Sequence, residues 1–367
     1  MIMNETRTLI INGVTYDLSG DDSSWDGRII ETEEEGFFVV DKNLNIGFDS
    51  SSGYTKQEIN RILGKDTSSE SGETNKAYAG ERINLDSTYR YRQKSLFSLR
   101  TSLTNGRQGA AIYGDTLFQF YQGTEYVELY SLKTNAYVKV VSRSDAIASN
   151  NHAGTATFGS QRYTSTDLFP LLYVSDMGES STQCKVYVYR VTTSSGATAL
   201  EPSSVSSLKL EQTITLPAYP SSPYLPDAAV DPESNTLIVW GYSQQSRETA
   251  DVSGVENAIQ IKVCDLPRLA DGNVKIDGYK CVHNIPFHWG VQDGCIRNGK
   301  LYLVYGLYPD HEAGIIAIDY ASGVVLTHVP LDMGVRFEPE GFDIYDNAFI
   351  MTTYKGASGY AYKISFN

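Results

Sequence analysis

Glu338 and Glu340 flank a proline that stiffens the backbone between them. Two carboxylates held in that way are material for a general acid and a general base, as in glycoside hydrolysis. The histidines His152, His283, His288, His311 and His328 show no spacing for a shared metal. No GxSxG elbow, P-loop, HExxH or strand-borne GxGxxG occurs. Asp41, Asn43 and Asn45 alternate with Gly47 and Asp49 beyond them, as oxygen ligands in a calcium loop do. There Ile46 stands where an EF-hand needs glycine, and Ser52 where it needs a bidentate glutamate. The stretch reads first as an Asx-rich hairpin turn, with a metal site as the alternative. Cys184, Cys264, Cys281 and Cys295 have no CxxC spacing and read as free thiols.

These groups are scattered over the chain, so the fold must gather them. Of 367 residues, 41% are hydrophobic, enough for a sizeable core, and 26 Tyr with 31 Gly suit strands and the turns between them. From about residue 95 one plan recurs five times. Its copies open at Gln108–Tyr121 (QGAAIYGDTLFQFY), His152–Ser175, Pro226–Tyr242 (PDAAVDPESNTLIVWGY), Gln292–Tyr305 (QDGCIRNGKLYLVY) and Glu338–Tyr354 (EPEGFDIYDNAFIMTTY). Each is a small-residue strand, a turn and an apolar strand, followed by a third alternating strand. The first four copies add a fourth: YVKVVS, LEQTITL, KCVHNI and VVLTHVPL. A four-strand unit repeated in this way is a propeller blade. The reading is an all-β chain with a five-bladed β-propeller over 95–367, six blades being the alternative. A sandwich needs no five copies of one plan. The fifth copy ends at Phe366–Asn367 after three strands, and Ser95–Leu103 (SLFSLRTSL) is the expected donor of the missing outer strand.

Residues at the start of each innermost strand share one end of the axial channel. That brings Gln108, His152, Asp227, Gln292, Asp293 and Glu340 together as a ligand-binding set, with His288 nearby. Were the funnel an active site, Glu338, Glu340, His152 and His288 would be its catalytic groups. A polar channel that only bonds water and backbone is the plainer reading of the same residues. No cofactor is expected.

Residues 1–63 read as a separate assembly region of β-hairpins and a short helix. Arg7–Asp17 alternates about Asn12-Gly13, a tight-hairpin signal, and Gly36–Phe48 repeats that plan. Thr55–Leu63 carries a capping box, Thr55 with Glu58. The span 64–94 reads as a polar linker. The start of the chain lacks a basic segment followed by a long apolar run, and no stretch approaches the roughly 20 apolar residues of a membrane helix, so a soluble protein without signal peptide is expected. The formal net charge of −14 disfavours nucleic acid and anionic membranes as partners.

The Gly36–Gly47 segment (GFFVVDKNLNIG) followed by a short helix resembles modules near the N-termini of tail proteins from phages and prophages of gut bacteria. The segments QGAAIYGDTLFQFY, NHAGTATFG and LFPLLYVS resemble propellers of such tail and cell-surface proteins, and the Glu338-Pro339-Glu340-Gly341 turn is similar to one found in several propeller families. The resemblance implies a virion protein made in the host cytoplasm and released by lysis. Its residues 1–63 would join other tail proteins, forming an oligomer in the particle. Its propeller would meet a host-surface glycan or protein without catalysis. A glycan-active hydrolase or lyase working through the funnel, and a structural decoration or adaptor protein, are the rival readings.

Overall fold

Alternating apolar and polar side chains, broken by Gly, Asn and Asp, resolve into 25 strands among the described residues. The computed structural model describes residues 8–11, 14–17, 28–32, 36–40, 91–100, 106–143, 152–176, 185–216, 226–242, 258–286, 290–306, 313–331, 338–354 and 359–366. The expected helix at 55–63, the Asp41/Asn43/Asn45 loop, His288, His311 and Cys184 lie outside these residues. The chain divides into two compact units, Met1–Thr74 with Asn84–Asp86, and Asn75–Ile83 with Ser87–Asn367.

In the first unit β1 (Thr8–Ile11) pairs with β2 (Val14–Asp17) through the expected two-residue connection at Asn12-Gly13. β3 (Arg28–Thr32) pairs with β4 (Gly36–Val40). The second hairpin therefore uses the segment before Gly36, a strand that the sequence reading of Gly36–Phe48 does not contain. An apolar run such as GFFVV offers the same pairing edge to either flank, so its sequence leaves the direction open.

The second unit is a five-bladed β-propeller. Its first strand is β5 (Tyr91–Ser98), considered below. Blade 1 is β6 (Arg107–Tyr113), β7 (Thr116–Tyr121), β8 (Tyr126–Ser131) and β9 (Ala136–Ser142). Blade 2 is β10 (Ala156–Phe158), β11 (Leu172–Asp176), β12 (Lys185–Thr193) and β13 (Val205–Thr215). Blade 3 is β14 (Asp227–Asp231), β15 (Thr236–Tyr242), β16 (Ala258–Asp265) and β18 (Cys281–Pro286); between the last two, β17 (Val274–Lys275) leaves to pair in parallel with β13 of blade 2. Blade 4 is β19 (Val291–Arg297), β20 (Lys300–Gly306), β21 (Ala313–Asp319) and β22 (Val324–Leu331). Blade 5 is β23 (Glu338–Tyr345), β24 (Ala348–Tyr354) and β25 (Tyr360–Phe366), completed by β5.

Closure of the ring by an N-terminal strand is thus observed, with Tyr91 opposite Phe366 and Ser98 opposite Tyr360. The strand lies four residues earlier than Ser95–Leu103. Tyr91–Lys94 belong to it rather than to a linker, and Leu99 ends it with its N–H on the Gly359 carbonyl and its side chain buried. The donated strand forms the outer edge, where Arg92, Lys94, Ser95 and Ser98 are exposed, so its sequence is too polar to mark its own start.

Five apolar clusters hold the blades face to face, one at each junction. Phe118, Phe120 and Leu129 meet Phe158, Leu172 and Val174 between blades 1 and 2. Val186 and Ile214 meet Val230 and Val239 between blades 2 and 3, and Ile238 and Trp240 meet Leu301 and Leu303 between blades 3 and 4. Val304 and Ile315 meet Phe342 and Met351, and Ile350 and Ala361 meet Leu117 and Tyr130, which closes the circle. Each fully buried side chain of this kind contributes about 1.5–3 kcal/mol.

Near the axis the blades leave no room for side chains. A Cβ on Gly109 would lie 2.7 Å from the Gly154 carbonyl oxygen, and one on Gly341 would lie 2.5 Å from the Ala110 Cβ. This crowding explains why the innermost strands are rich in Gly and Ala. At the opposite end of these strands the first two strands of blades 4 and 5 turn through Asn298-Gly299 and Asp346-Asn347, all four with positive φ, as tight two-residue hairpins require.

Candidate functional site

Every innermost strand starts at one end of the axis, here the leading end, and finishes at the other, the turn end. Three of these strands carry a bulge at the same level. In β6 Arg107 pairs with Tyr121 and Ala110 with Gln119, leaving Gln108 and Gly109 opposite the single Phe120. In β19 Val291 pairs with Tyr305 and Asp293 with Val304, leaving Gln292 extra. In β23 Pro339 pairs with Thr353 and Gly341 with Thr352, leaving Glu340 extra. A bulge turns a side chain away from the regular alternation and is enriched beside functional sites. The side chains so released are all polar and all buried: Gln108, Gln292 and Glu340.

Internal bonds brace this end. Gln119 Nε2 donates to the Gln108 and Phe120 carbonyls at 2.6 and 3.1 Å, holding the first bulge. Gln292 Nε2 donates to the Gly306 carbonyl at 2.8 Å and to Glu338 Oε1 at 2.5 Å, so the expected Gln292 and Glu338 do meet. Glu338 is half-buried at the start of β23, and His152 is buried just before Ala153, whose φ is 45°.

The structure places Asp227 and Asp293 deeper, as ties between blades. Asp227 in blade 3 accepts the Thr155 hydroxyl at 2.7 Å, the Ser175 hydroxyl, both from blade 2, and its neighbour Ala228 N–H at 3.0 Å. Asp293 in blade 4 accepts the Phe342 N–H of blade 5 at 2.7 Å, the Ala110 N–H of blade 1 at 3.2 Å and the Gly294 N–H at 2.7 Å. One carboxylate thus links three innermost strands. Burial raises the pKa of Asp227 to about 7, against the lowering effect of its donors. Burial also pushes Asp293 well up, and the nearby Asp227 charge adds to that.

A third acid, the half-buried Asp343, belongs to the turn end and was not singled out by the sequence. It accepts the Ile112 N–H at 2.6 Å and the Ile344 N–H at 2.7 Å, and burial brings its pKa to about 7. Thr157 does the same for blades 2 and 3, its hydroxyl oxygen accepting the Val230 N–H at 3.0 Å. Aligning the five copies offers a signal for these ties: a short polar residue recurs inside otherwise small-residue strands, at Thr157, Asp293 and Asp343.

Of the tyrosines at strand ends, Tyr121 and Tyr305 are buried, the first donating to Glu128 and the second bonded to His328 Nε2 at 2.5 Å, while Tyr126 and Tyr163 are exposed. No cluster of three or more His, Cys, Asp or Glu suited to a metal occurs among the described residues. Among the same residues no helix is long and apolar enough to cross a membrane.

No protein family matches the chain, and no curated protein does. Among solved structures it is similar to the glutaminyl cyclase of Myxococcus xanthus, at 11% identity and a TM-score of 0.44 over 76% of this chain and 99% of that one. It is similar to the PQQ-bound aldose sugar dehydrogenase of Streptomyces coelicolor, at 10% identity and a TM-score of 0.41 over 76% and 99%. A gluconolactonase from Xanthomonas campestris stands at 12% identity and a TM-score of 0.40 over 76% and 90%. Likenesses this distant carry no activity over to this chain.

Proposed function

We propose that the propeller is a non-enzymatic recognition domain whose leading end binds a neutral, hydroxyl-rich ligand such as a host-surface glycan. The observation that carries this reading is the ring of bulges presenting Gln108, Gln292 and Glu340 at one level. Amides and a carboxylate offer both donors and acceptors to sugar hydroxyls. The acids deeper in the channel, Asp227 and Asp293, are engaged by three internal donors each, which suits them to holding the ring rather than to shuttling protons. In the same reading residues 1–63 attach the propeller to a larger assembly, a phage tail or related particle, through other tail proteins or copies of this chain.

A second reading, hydrolysis or lysis of a glycan, draws on Glu338, which stays half-buried and holds Gln292 beside the Glu340 bulge. A glycan array combined with a reducing-end release assay separates the two. Binding without release, weakened by about 1–3 kcal/mol in Glu340→Ala or Gln292→Ala, supports recognition. Release that disappears in Glu338→Gln or Glu340→Gln supports the enzyme. Neither binding nor release refutes both. The attachment role is tested by sedimentation of the full chain, which should exceed monomer mass; a monomer with no affinity for tail proteins refutes it.

A further inference from the structure

The turn end of the axis holds a cavity of about 140 Å³. All five innermost strands contribute to its wall, where Ile112, Val230, Ile296 and Ile344 stand beside aromatic and polar groups. Two charged groups of opposite sign share that wall, Arg297 of blade 4 and Asp343 of blade 5. They are near enough for the guanidinium to lower the pKa of Asp343, yet they form no ion pair with each other. The Arg297 guanidinium makes no hydrogen bond or ion pair among the described residues. The neighbouring guanidinium of Arg162 is occupied, donating to the Asp167 and Leu168 carbonyls at 2.7 and 2.5 Å and to the Tyr113 hydroxyl at 3.0 Å. Each oxygen of Asp343 has one backbone N–H, and a carboxylate oxygen accepts two donors.

Opposite charges in contact would satisfy each other. Lining one cavity without pairing, the guanidinium and the carboxyl group are complementary to a ligand that carries a carboxylate and an ammonium. A cavity of about 150 Å³ accepts a benzene-sized body, roughly six non-hydrogen atoms, which is room for the aliphatic carbons of a small amino acid whose carboxylate stays at the exposed Arg297. The lining also matches small-molecule sites in general, which are apolar with a few placed polar groups. We propose that this cavity binds a small zwitterion with an aliphatic body, an α-amino acid of valine or leucine size, its carboxylate on Arg297 and its ammonium toward Asp343. The site is at the other end of the ring from the glycan-binding face and does not depend on that reading.

Calorimetric titration of the full chain with L-leucine, 4-methylpentanoate and isoamylamine tests it, because the last two keep the body and drop one charge each. Leucine should bind, and each single-charge analogue should bind at least about tenfold more weakly, the loss expected for one charge-assisted hydrogen bond. Arg297→Ala should weaken leucine by a similar factor. Its side chain is exposed and makes no structural bond, so the variant should fold. Glu340→Ala, at the other end, should leave leucine binding unchanged. Absence of leucine binding, 4-methylpentanoate or isoamylamine binding as tightly as leucine, or unaltered affinity in Arg297→Ala would each overturn the proposal.

Discussion

Replacing Asp227 by Asn should change stability in opposite directions at low and high pH. The carboxyl group is fully buried and its pKa is raised from 3.8 to about 7, chiefly by burial. The sign follows from proton counts. Between these values the folded chain holds a proton that the unfolded chain has released, so stability falls as pH rises from about 4 through about 7 and levels off above. A pKa difference of about three corresponds to roughly 4 kcal/mol, an upper bound for what ionising this group costs the fold. Asparagine removes that cost. Its amide oxygen can keep the Ser175 and Ala228 donors, and its NH₂ can face the Thr155 hydroxyl, which is able to accept as well as donate. Loss of one well-placed bond costs about 1 kcal/mol. Asp227→Asn should therefore be about 1 kcal/mol less stable than the parent near pH 3, below both pKa values, and about 2 kcal/mol more stable near pH 8.5, where the parent carries a buried charge. Urea unfolding followed by Trp fluorescence at the two pH values measures both differences. A variant less stable by the same amount at both would show that the two hydroxyls and the N–H already stabilise the carboxylate, and would refute the reasoning.

Three further outcomes follow from the packing. Gly341→Ala should lose about 1–3 kcal/mol through overpacking against Ala110, whereas Gly278→Ala, with nothing within 4 Å of its new Cβ, should be near neutral; equal melting temperatures for the two would contradict the crowded axis. A chain beginning at residue 105 should aggregate or fail to melt cooperatively because blade 5 loses β5, while one beginning at residue 86 should melt like the full chain; the reverse result would remove β5 from its closing role. Native protein should leave Cys264 unmodified by a thiol reagent at neutral pH, since it is buried and burial pushes its pKa up to about 12; rapid labelling at Cys264 would show that the junction of blades 2 and 3 opens.

What was legible in the sequence is what repeats. Segments such as QGAAIY, DAAVD and DGCI announced crowded innermost strands, and the apolar second strands announced the blade faces. Three features left no such mark. β17 is two residues long and parallel, too short to show a period, so its crossing from blade 3 to blade 2 is visible only in three dimensions. The bulges are extra residues in a register that a single strand does not reveal, although Gln108, Gln292 and Glu340 were expected at the site as polar residues near strand starts. Arg297 reads as one more charged residue before an Asn-Gly turn; its place on a cavity depends on four other strands that end beside it.

The acids that look most chemical in the sequence are thus partly claimed by the fold. A propeller ring has no single core, and its innermost strands are too small-residued to hold one another by apolar contact alone. Asp227, Asp293 and Asp343 supply the missing attachment by accepting hydroxyls and N–H groups from neighbouring blades. Such ties must sit near the axis, where a ligand funnel also lies, so position alone cannot separate binding groups from braces. The bond inventory can. A carboxylate with three internal donors and a raised pKa is a brace first, and its removal should be felt in unfolding experiments at every ligand concentration. Gln292 is anchored as well, but it sits in a bulge that the sheet does not need, and a local kink retained at one level in three blades is better explained by what it presents than by what it holds. Under the proposed function recognition would belong to the bulged residues and stability to the acids beneath them, a division that separate binding and unfolding measurements on Glu340→Ala and Asp227→Asn would expose.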